Sequence, residues 1–331
     1  MKHKTSITII LLSMFFITQL IGIFVIGAYL PRQSVQVING TEQNVTITPQ
    51  LPYGMQPPEM KPNDALSFLV SLIISFVFAI VLIFVLMRIK AALFIRIWFF
   101  VVVIIALGIT ITSFISLSPL RGLWYIPYIS LLIALPLAIY KIFRRNIIVH
   151  NAKELMIYPG IAAVFVPILN IWTILALLII ISLYDIYAVW HSKFMQKMAK
   201  FQINKLKLFT GFFVPYADKK TKDKIRLIRQ RYKSKKIPDS VAKKQKFKIS
   251  LAILGGGDVV FPLITSGVML KTFAMPLGII GALLVSVFAT LALLALFIFS
   301  KKGKFYPAMP FITAGCIIGM IVAIALARIV I

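Results

Sequence analysis

Cysteine is almost absent: Cys316 stands alone, so no intramolecular disulfide and no cysteine-rich metal centre can form, and the redox compartment stays open. Histidine is nearly as scarce. His3, His150 and His191 are the only three; none has the spacing of a zinc-protease helix, and none lies inside an apolar run where it could activate a buried serine. Acidic residues number 9 against 36 Lys and Arg, and all charged residues together make up 14% of the chain. What fills the remainder is apolar. Of the 331 residues, 60% are hydrophobic and the mean hydropathy is +0.96, far outside the balance of a water-soluble domain. A net charge of +27 would suggest nucleic acid in a soluble chain; here the placement of the charges matters more than their sum, and no nucleic-acid partner is expected.

Apolar runs over residues 5–30, 65–87, 97–117, 123–140, 154–169, 171–190, 249–270, 273–299 and 311–327 are each read as a membrane-crossing segment. Open strands would leave backbone groups unsatisfied in lipid, so the expected fold is an all-α membrane protein, a polytopic bundle of nine transmembrane helices. The fifth run carries Pro159 and Pro167 and is divided from the sixth by a turn near Asn170. Taken as one helix, residues 154–190 would stretch about 55 Å, nearly two thicknesses of a hydrocarbon core of about 30 Å. The first run follows Lys2, His3 and Lys4, is too long for a signal-peptide core, and is read as a retained span.

Charge placement supports the count. With the N-terminus cytoplasmic, 31 of the 36 Lys and Arg residues fall on the inner side, and only Arg32, Lys61, Arg121, Lys271 and Arg328 fall outside them. The C-terminus is then outside. The chain divides into residues 1–190, a six-helix part; 191–248, a basic cytoplasmic loop; and 249–331, a three-helix part. The basic loop is expected to lie on anionic lipid headgroups, each nearby Lys or Arg contributing about 1 kcal/mol, or to be a solvated tether. The outer segment 31–63 is polar and holds two glycosylation sequons, at Asn39 and Asn44.

Seven of the nine acids (Glu42, Glu59, Asp64, Glu154, Asp218, Asp223 and Asp239) fall in loops or at the ends of spans. Only Asp185 and Asp258 are placed within apolar helices. A carboxylate deep in a bilayer costs about 2.5–3.5 kcal/mol on insertion scales, which marks it as functional by default. Both are expected in the cytoplasmic half, on adjacent antiparallel helices that could set them side by side. Two close carboxylates in a low dielectric cannot both ionise cheaply and share one proton, which supplies a base and an acid together. The ionised member would take a proton from a water that attacks a peptide carbonyl, and the protonated member would donate toward the oxygen and later the nitrogen. No metal and no cofactor is expected.

Other features gather near these two residues. Gly255-Gly256-Gly257 precedes Asp258, three poor helix formers in a row, read either as a place where a substrate chain comes close or as a packing notch. Tyr184 precedes Asp185, and its phenol could hydrogen-bond a carboxyl or line a water path. Pro307-Ala308-Met309-Pro310 resists a regular helix and is either part of the active centre or an entry kink. Gly315 and Gly319 have the spacing of close helix contact.

With Tyr184-Asp185, Gly255-Gly256-Gly257-Asp258 and Pro307-Ala308-Met309-Pro310 in this order, the chain resembles the presenilin and signal peptide peptidase family of GxGD intramembrane aspartyl proteases. The resemblance implies that Asp185 and Asp258 are catalytic, that Gly255, Gly256 and Gly257 support the second aspartate together with Tyr184 beside the first, and that residues Pro307, Ala308, Met309 and Pro310 bind substrate. It implies transmembrane peptides as substrates. Met309 stands where the family pattern has leucine. The inferred orientation is similar to that of presenilins and opposite to that of signal peptide peptidases.

Residues 208–215 and 246–253 are each read as a candidate strand, whose edge would capture an unwound substrate, or as a membrane-surface anchor. Proline at Phe213 should then lower cleavage far more than membrane insertion. The alternatives to intramembrane proteolysis of this type are a proton- or cation-coupled transporter using the same two aspartates, a prepilin-type GxGD peptidase and a structural scaffold. The transporter reading accounts for the buried acids but not for the glycines, the tyrosine and the proline segment together.

Overall fold

The computed structural model describes residues 5–38, 41–47, 49–55, 65–89, 91–117, 123–143, 146–191, 210–217, 249–300 and 306–330. Most of the basic loop, residue Asn39 and the N-terminal charges lie outside the described residues. Nine α-helices occur among them: α1 (Thr5–Tyr29), α2 (Ala65–Arg88), α3 (Ala92–Ile115), α4 (Ile126–Phe143), α5 (Ile147–Phe165), α6 (Ile171–Trp190), α7 (Gly256–Thr272), α8 (Leu277–Phe299) and α9 (Met309–Val330). Four strands accompany them: β1 (Arg32–Ile38), β2 (Thr41–Ile47), β3 (Gly211–Ala217) and β4 (Ile249–Gly255). The fold is an all-α polytopic membrane bundle. Six helices (α1, α2, α3, α6, α8 and α9) are long and apolar enough to cross a membrane by themselves. The other three owe their place to packing.

Helix ends explain why the chain divides as it does. Asn170 caps α6 by accepting from the Thr173 N–H at 2.9 Å, while the Asn170 N–H donates to Thr173 Oγ1 at 2.8 Å, a reciprocal box. Just before it, Val166–Ile168 forms a single 3-10 turn around Pro167. The division of residues 154–190 is thus built from a proline stop and a capping start. Asn146 likewise caps α5, accepting from the Ile148 and Val149 N–H groups, so α5 begins well before the expected residue 154. Its first two turns carry His150, Asn151, Lys153 and Glu154, a polar stretch that hid the helix from a reading by apolar runs.

The largest departure from the expected spans is at residue 249. Residues 249–255 do not begin a helix; they form β4, paired antiparallel with β3 in the register Gly211↔Gly255, Phe213↔Ile253 and Ala217↔Ile249. Alternation drives this: Ala252 and Leu254 are buried while Ile253 is exposed, a period of two that a long apolar run conceals. Gly255 caps the following helix, so α7 spans only Gly256–Thr272 and Asp258 lies in its first turn. The outer segment also holds a hairpin, β1 with β2, in the register Arg32↔Ile47 to Ile38↔Thr41. Its connection, Asn39-Gly40 in the sequence, is the favoured two-residue hairpin dipeptide.

At the centre stands α7, which packs against α1, α5, α6, α8 and α9 and buries every residue from Pro262 to Leu270. α8 runs along α9, where Gly315 and Gly319 let backbones approach: a Cβ on Gly319 would come within 2.7 Å of Val285 Cα. α2 sits at the periphery, meeting α3 and α6 with few residues. Between α4 and α5 lies a buried ion pair, Lys141 Nζ to Glu154 Oε1 at 2.6 Å, with side chains 1% and 0% exposed. Truncating one partner strands the other's charge. Lys141→Met alone is expected to cost about 3–5 kcal/mol, whereas Lys141→Met with Glu154→Gln recovers most of it. Melting temperatures of the purified variants check this, and equal stability of the single and double variants would refute it.

Candidate active site

Asp185 lies near the end of α6 with 5% of its surface exposed. Its partners come from the start of α9 and the residue before it: the Met309 N–H donates to Asp185 Oδ2 at 3.0 Å, and the Ala308 N–H is turned toward the carboxylate. The prolines make this arrangement. Pro307 and Pro310 have no N–H to offer, so the two residues between them carry the free donors, and the start of α9 presents them to an anion. One turn earlier, Ser182 Oγ and Thr313 Oγ1 are 2.7 Å apart, tying α6 to α9.

Asp258 sits in the first turn of α7, partly buried, with the Gly255 N–H turned toward its carboxylate. It is within electrostatic reach of Asp185. The backbone around it is anchored from three sides. Gly256 N–H donates to Thr210 O at 3.3 Å, Gln19 Nε2 of α1 donates to Val259 O at 3.1 Å, and Tyr158 of α5 packs against Gly256.

The glycines differ in what they do. A Cβ on Gly256 would stand 3.0 Å from Tyr158 Oη and 3.1 Å from its Cε1, and Tyr158 is 2% exposed with nowhere to move. A Cβ on Gly257 would meet nothing nearer than Phe261 at 3.7 Å. Gly256→Ala is therefore expected to cost about 1–3 kcal/mol by overpacking, and Gly257→Ala to leave stability unchanged. Thermal melts of the two variants check the difference; a more damaging Gly257→Ala would contradict the geometry.

With that geometry in place, a family model described as signal-peptide peptidase, presenilin aspartyl protease matches residues 48–329. The chain belongs to that family. It is an intramembrane aspartyl protease and an integral, multi-pass membrane protein. A solved presenilin family intramembrane aspartate protease in one crystal form superimposes with a TM-score of 0.57 at 18% identity, covering 96% of this chain and 99% of that one. A second form gives 0.54 at 17% identity, covering 96% of both chains. At such identities the likeness is one of fold. A search of curated proteins finds no match.

The protease brings together most of the residues its sequence singled out. Asp185, Ala308 and Met309 are in contact, and Gly255, Gly256 and Gly257 lead directly into Asp258. Tyr184 lies within electrostatic reach of Asp185, and its ring meets Phe76 of α2 edge-on at 6.0 Å. Gln19, Asn151, Glu154 and Tyr158 were not anticipated at the site. Gln19 carried a usable signal, since an amide within the 25 residues of α1 needs a partner inside the bundle.

Strand β3 is held on its far side by α5. Asn151 Nδ2 donates to Phe213 O at 2.8 Å, Phe213 N–H donates to Asn151 Oδ1 at 3.0 Å, and His150 Nε2 lies 2.9 Å from Gly211 O. Pro215, on the same edge, has no N–H. Since Phe213 points its backbone away from β4, its partner Ile253 points its own N–H and C=O away from β3. Among the described residues, the open edge of the sheet is that of β4.

Proposed function

We propose that Asp185 and Asp258 are the catalytic pair, holding one proton and one water between them, and that they cut transmembrane segments of membrane proteins or the peptides left after earlier cleavage. The observation that supports this reading is that carboxylates from α6 and α7 lie within electrostatic reach of each other, with the Met309 N–H bonded to one, the Ala308 N–H turned toward it and the Gly255 N–H turned toward the other. One aspartate ionised and one protonated gives a base for the water and an acid for the leaving amine. The roles belong to the pair.

A peptide bond in a transmembrane helix is shielded by its own hydrogen bonds, so the substrate must unwind before it is cut. The open edge of β4 at Leu251 and Ile253 offers the freed backbone new partners five to seven residues from Asp258. Gly257 is exposed beside it, leaving room for the incoming chain. The N-terminus is cytoplasmic and the C-terminus outside, with residues 191–248 as a cytoplasmic loop between the six-helix and three-helix parts and against anionic headgroups. Support for this orientation is the distribution of Lys and Arg.

The test uses purified full-length protein in liposomes with a panel of transmembrane peptides. Cleavage within the hydrophobic stretch is expected. Proton-driven solute flux with no cleavage of any peptide would replace the protease mechanism with that of a transporter.

A further inference from the structure

His150, Glu154 and Tyr158 recur every four residues on α5 and therefore form one line along a single face of the helix. Burial deepens along it. The His150 side chain is 16% exposed and that of Glu154 is 0%, while Tyr158 as a whole is 2% exposed. The line ends at the first turn of α7, where Tyr158 lies against Gly256 and within electrostatic reach of Asp258.

Two atoms on this line break the rule that buried polar groups are partnered. Glu154 Oε2 and Tyr158 Oη are sealed from solvent, and neither completes a hydrogen bond among the described residues. The hydroxyl faces the carboxylate without closing a bond of standard geometry. Glu154 Oε1, by contrast, is held by Lys141 at 2.6 Å with His150 Nε2 at 3.4 Å. Packing does not explain the hydroxyl, because the Tyr158 ring already meets Phe212 edge-on at 5.6 Å and phenylalanine would fill that space without a desolvated oxygen.

We propose that Tyr158 and Glu154 form a proton path joining Asp258 to the end of α5 that carries His150. The proposal rests on Asp258 being a catalytic acid. In one direction Tyr158 gives its hydroxyl proton to ionised Asp258 and recovers one through Glu154, whose carboxylate, paired with Lys141 at the start and at the end, passes on a proton received from the His150 end of the line or from water there. Only O–H and N–H bonds break and form, and each group ends as it began apart from the proton delivered. A path of this kind matters most when a substrate covers the open side of Asp258. Neither Tyr158 nor Glu154 touches the reacting atoms; both are positioning residues acting through Asp258.

The groups that set the field along the line are Lys141 of α4, Lys153 of α5 and Asp258 of α7. Lys153 is turned aside, donating to Leu137 O at 2.7 Å with its ammonium 4.4 Å from the Tyr140 ring centroid. α1, on another side of α5, carries no charged residue, and α3 carries only Arg96.

The deciding measurement is infrared spectroscopy of the full-length protein in liposomes, following the carboxylic band that disappears in Asp258→Asn after rapid transfer to heavy water. Tyr158→Phe, and the charge-balanced pair Lys141→Met with Glu154→Gln, should slow the exchange by at least about 10-fold, a part of the 10²–10⁴ that a positioned proton donor is worth. With a cleavable peptide, kcat should fall by a similar factor and KM should hold. Exchange and kcat at wild-type values in a folded Tyr158→Phe would overturn the path. Slowed exchange in a protein that cuts no peptide would support the path and sink only the proteolytic reading.

Discussion

Asp185→Asn and Asp258→Asn are each expected to lower peptide cleavage by at least about 10³-fold, since either change removes both the base and the acid that the shared proton provides. The fold should survive. Asparagine at 185 keeps an oxygen that accepts the Met309 N–H, now made at 3.0 Å, and asparagine at 258 keeps one for the Gly255 N–H. Removing a charge from a desolvated site does not by itself weaken the bundle. Mass spectrometry of the cleaved peptide, beside size-exclusion profiles and melting curves, separates loss of chemistry from loss of structure. Substantial cleavage by either well-folded variant would falsify the aspartate-pair mechanism.

The second large effect concerns the sheet. Ile253→Pro deletes an N–H on the open edge of β4 while leaving the bonds to β3 in place, because Ile253 points its backbone away from β3. A substrate carbonyl left without that donor costs about 1–3 kcal/mol, so kcat/KM should fall about 10- to 100-fold. Ile253→Thr, which keeps the N–H, is the control and should stay near the wild-type rate. Peptide cleavage measured over a range of substrate concentrations tests this; equal losses in both variants would assign Ile253 a side-chain role and remove the edge from the mechanism. Phe213→Pro now probes something else. The Phe213 N–H is engaged by Asn151 and not by β4, so that substitution loosens the attachment of the sheet to α5.

How much of this was legible in the sequence depended on whether the signal was local. The break between α5 and α6 was readable because proline and asparagine act within a few residues, through Pro167 and the Asn170 box. Asp185 and Asp258 stood out as candidates because acids are so rare in the apolar segments. The helical placement of residues 249–255 failed for a complementary reason: β4 depends on β3, about 40 residues earlier across the basic loop, and an apolar run looks the same whichever partner it has. The strand readings at 208–215 and 246–253 came within a few residues of the observed β3 and β4 because the first is a short apolar, aromatic stretch inside the basic loop and the second lies just before the glycines. Glu154 looked like a residue at the end of a span. Its partner Lys141 is on another helix, and nothing in the spacing of 13 residues announces a buried pair.

The clamp of Asn151 on Phe213 carries a consequence for traffic through the enzyme. A ribbon of two strands ordinarily has two sides on which a third could settle; here one is already taken, so on the proposed mechanism only a single guest docks at a time. Different clients must then wait their turn, and any extended peptide that docks without being cut should act as a purely competitive inhibitor of all of them.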